Sequence, residues 1–171
     1  MSVTRRQAIG ALAAAGVLGP LSLWLTSGEG STSAHSATFP LQKTDAEWRA
    51  ELPGERYKIL REHRTERAFS SPLNAEKRRG VFVCAACGQK LFASKTKFES
   101  GTGWPSFWEP IDDAAVGTEI DRSYLMVRTE VHCARCGGHL GHVFSDGPRP
   151  TGLRYCINGL ALGFVAESAS S

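Results

Sequence analysis

The sequence lacks a clustered excess of charge of either sign. Its 20 Lys and Arg residues face 17 Asp and Glu residues, which gives a formal net charge of +3. Two arginines and one glutamate fall in residues 1–37, so the remaining chain carries 18 basic and 16 acidic side chains. Binding to a nucleic-acid backbone needs a dense patch of Lys and Arg. The near balance of charge therefore argues against a nucleic-acid partner.

The sequence also lacks internal repeats, and it is too short for two large domains. Single hydrophobic cores are commonly built from roughly 100 to 200 residues, and this chain has 171. We therefore expect one domain over residues 38–171, preceded by a leader and linker over residues 1–37.

Residues 1–37 have the features of a targeting segment. Arg5 and Arg6 precede an uncharged apolar run from Ala8 to Leu25, and a segment rich in Gly, Ser and Thr follows. Paired arginines before such a run are typical of bacterial twin-arginine export signals. An ordinary secretory signal and an uncleaved anchor are the alternatives, because about 18 apolar residues are close to the minimum for crossing a bilayer. We expect a periplasmic or other extracytoplasmic protein, held at a membrane only if the leader is not cleaved.

The remaining chain predicts a mainly β fold with short helices near its N-terminal end. Thr44 and Glu47 form a capping-box pattern before a short helix that carries Trp48. A second helix is predicted from Glu55 to about His63. Beyond Gly80, short β-branched and aromatic segments predict strands near residues 81–83, 90–92, 124–131, 142–144 and 163–165. Because these segments are short and closely spaced, we expect an antiparallel β domain with the helices packed against it.

The five cysteines are unevenly distributed. Cys84 and Cys87 form one CxxC pair, Cys133 and Cys136 form a second, and Cys156 stands alone. Two CxxC turns can supply the tetrahedral set of four thiolates that zinc prefers. The spacing therefore predicts one structural zinc ion in a closed four-sulfur site. Two disulfides are the alternative in an exported protein.

Cys156 is the only free thiol if the other four sulfurs bind metal. Arg154 and Asn158 lie two positions before and after it, so all three would share one face of a strand. A neighbouring cation and amide donor lower the pKa of a thiol and stabilise the thiolate. The pattern favours a nucleophile, and a buried unreactive cysteine is the alternative.

Two further segments contain candidate site residues. His139 and His142 are three positions apart, and taken alone they could be metal ligands, core residues, surface residues or catalytic groups. Trp104 lies in SGTGWPSF at residues 100–107. The glycines of that segment do not precede a helix, which argues against phosphate binding. Trp104 is therefore predicted to close a core or to form the wall of a pocket.

Together these segments resemble the B-type methionine sulfoxide reductases over residues 45–165. The matching segments are CAACG around Cys84, TKFESGTGWPSFWEP at 96–110, RTEVHCARCGGHLGHVFSDGP at 128–148 and PTGLRYCIN at 150–158. The resemblance implies an enzyme that reduces the R epimer of methionine sulfoxide, mainly in oxidised proteins and peptides.

The resemblance also implies a role for each candidate residue. Cys156 matches the catalytic cysteine, and Trp104 matches the aromatic wall that holds the substrate's methyl group, with Phe144 as a second substrate-binding residue. The polar active-site positions of the family fall on His139, His142 and Asn158. We assign protonation of the sulfoxide oxygen to His142 and stabilisation of the thiolate to Arg154.

Thr102 is a departure from the family pattern, because many members carry a resolving cysteine at that position. Without one, we expect Cys156 to become a sulfenic acid that an external thioredoxin-like protein reduces. We expect a monomer. Two readings from other classes stay open, namely a zinc-ribbon binding module without catalysis and an exported disulfide-rich structural domain.

Overall fold

The computed structural model describes residues 39–168. The predicted export leader over residues 1–37 therefore lies outside the described residues. Neither helix within residues 39–168 is long and apolar enough to cross a membrane.

Two short helices precede the sheets, α1 (Asp45–Glu51) and α2 (Gly54–Glu62). The predicted capping box is confirmed at α1, where the Thr44 hydroxyl accepts from the Glu47 N–H and the Glu47 carboxylate accepts from the Thr44 N–H. Pro53 separates the two helices, because a proline inside a helix interrupts its hydrogen bonding. Both helices therefore begin and end close to their predicted limits.

Nine strands follow within the described residues and form two antiparallel sheets. They are β1 (Gly80–Cys84), β2 (Lys90–Ala93), β3 (Lys97–Phe98), β4 (Ser106–Phe107), β5 (Val116–Asp121), β6 (Arg128–Cys133), β7 (His139–Phe144), β8 (Arg154–Ile157) and β9 (Leu162–Ala166). The smaller sheet has the order β2-β1-β9, and the larger has the order β3-β4-β8-β7-β6-β5. The predicted antiparallel β domain with short N-terminal helices is confirmed.

The strand predicted at residues 124–131 is wrong in its first half. Tyr124 and Leu125 have φ angles of 54° and 59°, which place them in the left-handed region and inside the connection between β5 and β6. Strand β6 begins only at Arg128. Composition suggested a strand here because Tyr, Leu and Val are common in sheets, but the chain reverses direction at this point. Strands β3, β4 and β5 were not predicted.

The core fixes the two strands that carry most candidate site residues. Leu140 of β7 and Ile157 of β8 are fully buried, and they belong to one apolar cluster with Trp48 and Leu60 of the helices. Successive strand side chains point to opposite faces of a sheet. Cys156 therefore lies on the face of the sheet opposite to Ile157, the face that it shares with its cross-strand partner His142.

Candidate active site and metal centre

The four paired cysteines meet in one cluster. The Sγ atoms of Cys84 and Cys136 are 3.8 Å apart, and those of Cys87 and Cys133 are 3.6 Å apart. These distances far exceed the roughly 2.05 Å of a disulfide bond. They are close to the sulfur separation of about 3.8 Å expected for a tetrahedron with metal–sulfur distances of about 2.3 Å. All four sulfurs lie within 4.8 Å of one another, so the geometry fits a metal site rather than two disulfides.

Tight turns aim these sulfurs at one point. Gly88 and Gly137 have φ angles of 72° and 67°, and their N–H groups donate to the carbonyls of Cys84 and Cys133, both over 2.8 Å. A side chain at Gly137 would also collide with the ring of Phe39. Cys84 ends a strand of the smaller sheet and Cys133 ends a strand of the larger one. A metal held by this cluster would therefore join the two sheets.

The Cys156 thiol lies in a separate small cavity of about 120 Å³. Cys156 pairs across the sheet with His142 of β7 and with Ser106 of β4. The residues that line the cavity are Thr65, Trp104, Arg128, Gly141, His142, Phe144, Cys156 and Asn158. The structure thus brings together five of the residues selected from the sequence, and it adds Thr65, Arg128 and Gly141.

Opposing effects act on the Cys156 thiol. Burial raises its pKa above that of an ordinary thiol, while the Thr102 hydroxyl and the Arg154 guanidinium both lower it. The Thr102 Oγ1 atom lies 3.8 Å from the Cys156 sulfur. Burial is the largest of these effects, so the pKa remains raised. The Arg154 guanidinium therefore acts against burial but does not outweigh it, so the pKa of the Cys156 thiol is not lowered as its neighbours in the sequence predicted.

Arg154 itself is held at the edge of the site. Its guanidinium donates to both carboxylate oxygens of Asp146, over 2.9 and 2.8 Å, and lies 4.4 Å from the centre of the Phe144 ring. It does not line the cavity around Cys156. The positive charge of Arg154 therefore acts on the Cys156 thiol from outside the cavity.

His142 is oriented by an acidic partner that sequence reasoning missed. Its Nε2 atom lies 2.8 Å from Asp121 Oδ2, and the same oxygen accepts from Arg128 over 2.6 Å. Burial lowers the pKa of His142, whereas the hydrogen bond with Asp121 opposes that change. The pKa of Asp121 is lowered, first by hydrogen bonds from Ser123 and also by His142. Burial is the larger effect, so the pKa of His142 stays below that of an ordinary imidazole, and the hydrogen bond with Asp121 fixes the orientation of the ring.

His139 occupies a neighbouring position rather than the Cys156 cavity. Its ring centre is 5.5 Å from that of His142, and its Nδ1 atom is 2.6 Å from Glu130 Oε1. The same oxygen is 3.1 Å from His63 Nδ1. Burial would raise the pKa of Glu130, but hydrogen bonds from His139 and His63 lower it to about 2. His139 lines the adjacent cavity with Glu130 and His63, and it does not line the cavity around Cys156.

Glu66 is a further residue that sequence reasoning missed. Its backbone N–H donates to Asn158 Oδ1 over 3.0 Å, and its carbonyl accepts from Trp104 Nε1 over 3.1 Å. Its buried carboxylate accepts from the N–H groups of Gly159 and Leu160, and burial raises its pKa. An isolated glutamate carries no spacing signal in the sequence. In the fold it fixes two walls of the cavity at once.

Comparison with known proteins identifies the family to which this chain is similar. The SelR domain family matches residues 52–166, a range that contains the four-cysteine cluster and Cys156. A peptide methionine sulfoxide reductase MsrB of Leptospira interrogans is 54% identical over 129 residues, covering 75% of this chain and 98% of that protein. The MsrB proteins of Methanosarcina mazei and Thiobacillus denitrificans are 55% and 58% identical, covering 74% and 71% of this chain and 91% and 92% of theirs. The chain therefore belongs to the MsrB family of peptide methionine sulfoxide reductases.

Proposed function

We propose that this chain reduces the R epimer of methionine sulfoxide, mainly in oxidised proteins, with Cys156 as the nucleophile. The observation that supports this most directly is the convergence of one free thiol, the Trp104 ring, His142 and Asn158 on a single cavity. A cavity of about 120 Å³ suits one side chain rather than a large cofactor. The aromatic ring supplies an apolar wall for the methyl group of the substrate.

The chemical step transfers the sulfoxide oxygen to Cys156. The thiolate attacks the sulfoxide sulfur, the oxygen takes up a proton, and methionine leaves while Cys156 retains the oxygen as a sulfenic acid. His142 is the proposed proton donor, because it lines the Cys156 cavity and its hydrogen bond with Asp121 opposes the lowering of its pKa by burial. Arg154 supports the thiolate by lowering the pKa of Cys156. Asn158 fixes the cavity wall by donating to the carbonyl of Leu140, and the His139 ring orients His142 by packing against its ring.

An external dithiol resets the enzyme in this proposal. Two thiols reduce the sulfenic acid to the Cys156 thiol, one disulfide forms on the reductant, and the oxygen leaves as water. Thr102 is the polar group 3.8 Å from the sulfur, and a hydroxyl cannot form a disulfide. A thioredoxin-like protein is the reductant we propose.

We propose zinc as the ion of the four-cysteine site. The donor set is four thiolates held in tight turns, and this set selects zinc among the common divalent ions. A closed four-sulfur site leaves no coordination position for a substrate, so zinc would stabilise the fold and take no part in the reaction. A zinc ribbon without catalysis is not favoured, because the chain belongs to an enzyme family.

Separate assays on the R and S epimers test the proposed reaction. We expect reduction of the R epimer, in small and peptide-bound substrates, and no reduction of the S epimer. Cys156→Ser should remove the activity, because serine is a far weaker nucleophile at neutral pH. Equal activity on both epimers, or full activity in Cys156→Ser, would refute the proposal.

We further propose export through the twin-arginine leader and a monomeric mature enzyme in the periplasm. Arg5 and Arg6 before the uncharged run support the route. Replacing both arginines with lysine should leave the protein in the cytoplasmic fraction of a bacterial host. Unchanged export of that variant would favour an ordinary secretory signal. Analytical ultracentrifugation of the mature protein tests the oligomeric state, and we expect the mass of one chain.

A further inference from the structure

The Cys156 cavity is too small for more than one side chain of a substrate. Its volume is about 120 Å³, while pockets that enclose drug-sized ligands are roughly 300 Å³ or more. A methionine sulfoxide within a polypeptide has neighbours on both sides. Those neighbouring residues must therefore lie on the protein surface outside the cavity.

An unusual apolar surface lies at the connection between β5 and β6. Of the eight large hydrophobic side chains exposed in the described part of the chain, five fall within residues 120–127. We define the apolar hairpin tip as Tyr124, Leu125, Met126 and Val127, of which Leu125 is fully exposed and Tyr124 and Val127 are 73% and 70% exposed. Contiguous exposed apolar groups of this kind mark interaction sites more often than isolated ones do.

The backbone of this tip is strained as well. Tyr124 and Leu125 are consecutive residues with φ of 54° and 59°, a region that glycine and asparagine adopt with less strain. Neither side chain is buried, so core packing does not account for the bulky residues at these two positions. Strain and exposure at the same residues point to selection for a contact outside the folded chain.

The hairpin tip is continuous with the Cys156 cavity on two sides. One adjoining cavity is lined by Tyr124, Arg128 and His142, and the latter two also line the Cys156 cavity. A groove on the other side, of about 610 Å³, is lined by Val127, Arg128 and Phe144, and shares the last two with the Cys156 cavity. A chain that places one side chain beside Cys156 can therefore run over the tip.

We propose that the apolar hairpin tip binds the apolar residues that flank methionine sulfoxide in oxidised, unfolded client polypeptides. The inference rests on the proposed reduction of protein-bound methionine sulfoxide. Unfolded chains expose the apolar residues that folding would bury, and the tip offers a surface of matching chemistry. The charges beside the tip are mixed, with Glu119 and Asp121 near Arg122 and Arg128, and so do not form the cationic cluster that an anionic membrane attracts.

The double variant Tyr124→Asn with Leu125→Gly tests this contact while relieving the strain. The probes are N-acetylmethionine-R-sulfoxide and two peptides with the R sulfoxide, one flanked by Leu and Phe and the other by Gly and Ser. We expect the parent enzyme to have a lower KM for the apolar peptide than for the polar one. In the double variant that KM should rise about tenfold, because burial of one leucine side chain contributes at least such a factor. The kcat on all three probes and the KM for the small probe should be unchanged.

Val165→Thr is the matched control, since Val165 is exposed on β9 of the other sheet. It should leave all KM values unaltered, and the melting temperature of the double variant should equal or exceed that of the parent. An unchanged KM for the apolar peptide overturns the inference, and so does an equal loss on all three probes. Self-association or vesicle binding that disappears in the double variant would assign the tip to a second copy or to a membrane instead. Absence of activity in the parent on every probe would instead refute the proposed function.

Discussion

At the scale of single residues, the reactivity of Cys156 depends on a balance between burial and neighbouring groups. Burial raises the pKa of the thiol, and Arg154 and Thr102 oppose that effect. Arg154→Met should raise the pKa further, because it removes the cation but keeps most of the side-chain volume. The rate of Cys156 alkylation by iodoacetamide, followed as a function of pH, reports this pKa. We expect the midpoint to lie above that of an ordinary thiol and to move upward again in the variant.

Arg79→Met is a suitable control for that measurement, because Arg79 is exposed and pairs with Glu167 at the end of the smaller sheet. Its alkylation profile should match that of the parent. A midpoint that stays in place, or moves downward, in Arg154→Met would show that Arg154 does not support the thiolate.

In the proposed mechanism, the oxidised cysteine is recycled by an external thiol because residue 102 is a threonine rather than a cysteine. Its Oγ1 atom is 3.8 Å from the Cys156 sulfur, so a cysteine in its place needs only a small movement to form a disulfide. In Thr102→Cys, we expect an intramolecular disulfide after one turnover with substrate. Intact mass and thiol titration detect it as the loss of two thiols without a trapped sulfenic acid.

Thr118→Cys provides the comparison, because Thr118 is exposed on β5, three strands away from β8 in the larger sheet. That variant should retain a sulfenic acid on Cys156 and its added thiol. A stable sulfenic acid in Thr102→Cys would mean that residue 102 cannot reach Cys156 during turnover.

At the scale of elements, Glu66 joins the loop before the sheets to the segment after β8. Glu66→Gln keeps the shape but places an amide group against two backbone donors, Gly159 and Leu160. We expect a loss of about 1–3 kcal/mol in the free energy of unfolding, since one buried donor loses its acceptor. Displacement of Trp104 and Asn158 should lower kcat/KM roughly ten- to a hundredfold. Urea denaturation and steady-state kinetics measure the two effects.

Glu55→Gln on α2 is the matched substitution, because Glu55 is exposed and, within residues 39–168, its carboxylate pairs with Lys58 alone. It should change neither quantity. If Glu66→Gln loses stability but retains full kcat/KM, Glu66 supports the fold without positioning the site.

Local signals predicted the elements that local interactions determine. The capping-box pattern correctly placed the start of α1, and the two CxxC pairs predicted the cluster of four sulfurs. The reversal at Tyr124 and Leu125 was missed, because neither residue type favours a left-handed conformation. Composition alone therefore extended β6 too far toward the N-terminus.

Site residues were likewise predictable where they lie in local motifs and not where they depend on contacts distant in sequence. Cys156 was predicted from its unpaired position and polar neighbours, whereas site roles for Trp104 and His142 came from the family resemblance. The fold brings all three to one cavity. Glu66 was not predicted, because its partners Gly159 and Leu160 lie 93 and 94 positions away. No periodicity or spacing encodes contacts between single residues so far apart. Such supporting partners become visible only when the strands are paired.

At the scale of the whole molecule, the four-cysteine cluster connects the two sheets. The binding free energy of a structural zinc site is roughly 10 kcal/mol or more, comparable to the 5–15 kcal/mol that stabilises a typical domain. Cys133→Ser should therefore lose the metal and unfold the domain. Metal content per chain and far-ultraviolet circular dichroism measure both outcomes.

Cys156→Ser is the control for Cys133→Ser, because Cys156 lies outside the four-cysteine cluster. It should keep its metal and its melting temperature while losing activity. A Cys133→Ser protein that is folded and fully active without metal would show that the cluster has no structural role.

In the mechanism we propose, four sulfurs hold a metal permanently while the fifth carries the oxygen. These two roles are distinguished by a single turnover of the metal-loaded enzyme with methionine-R-sulfoxide, followed by dimedone trapping and peptide mapping. We predict one methionine released per chain, dimedone on Cys156 alone, and full retention of the metal. Label on Cys84, Cys87, Cys133 or Cys136, or an internal disulfide accompanied by metal release, would contradict the account.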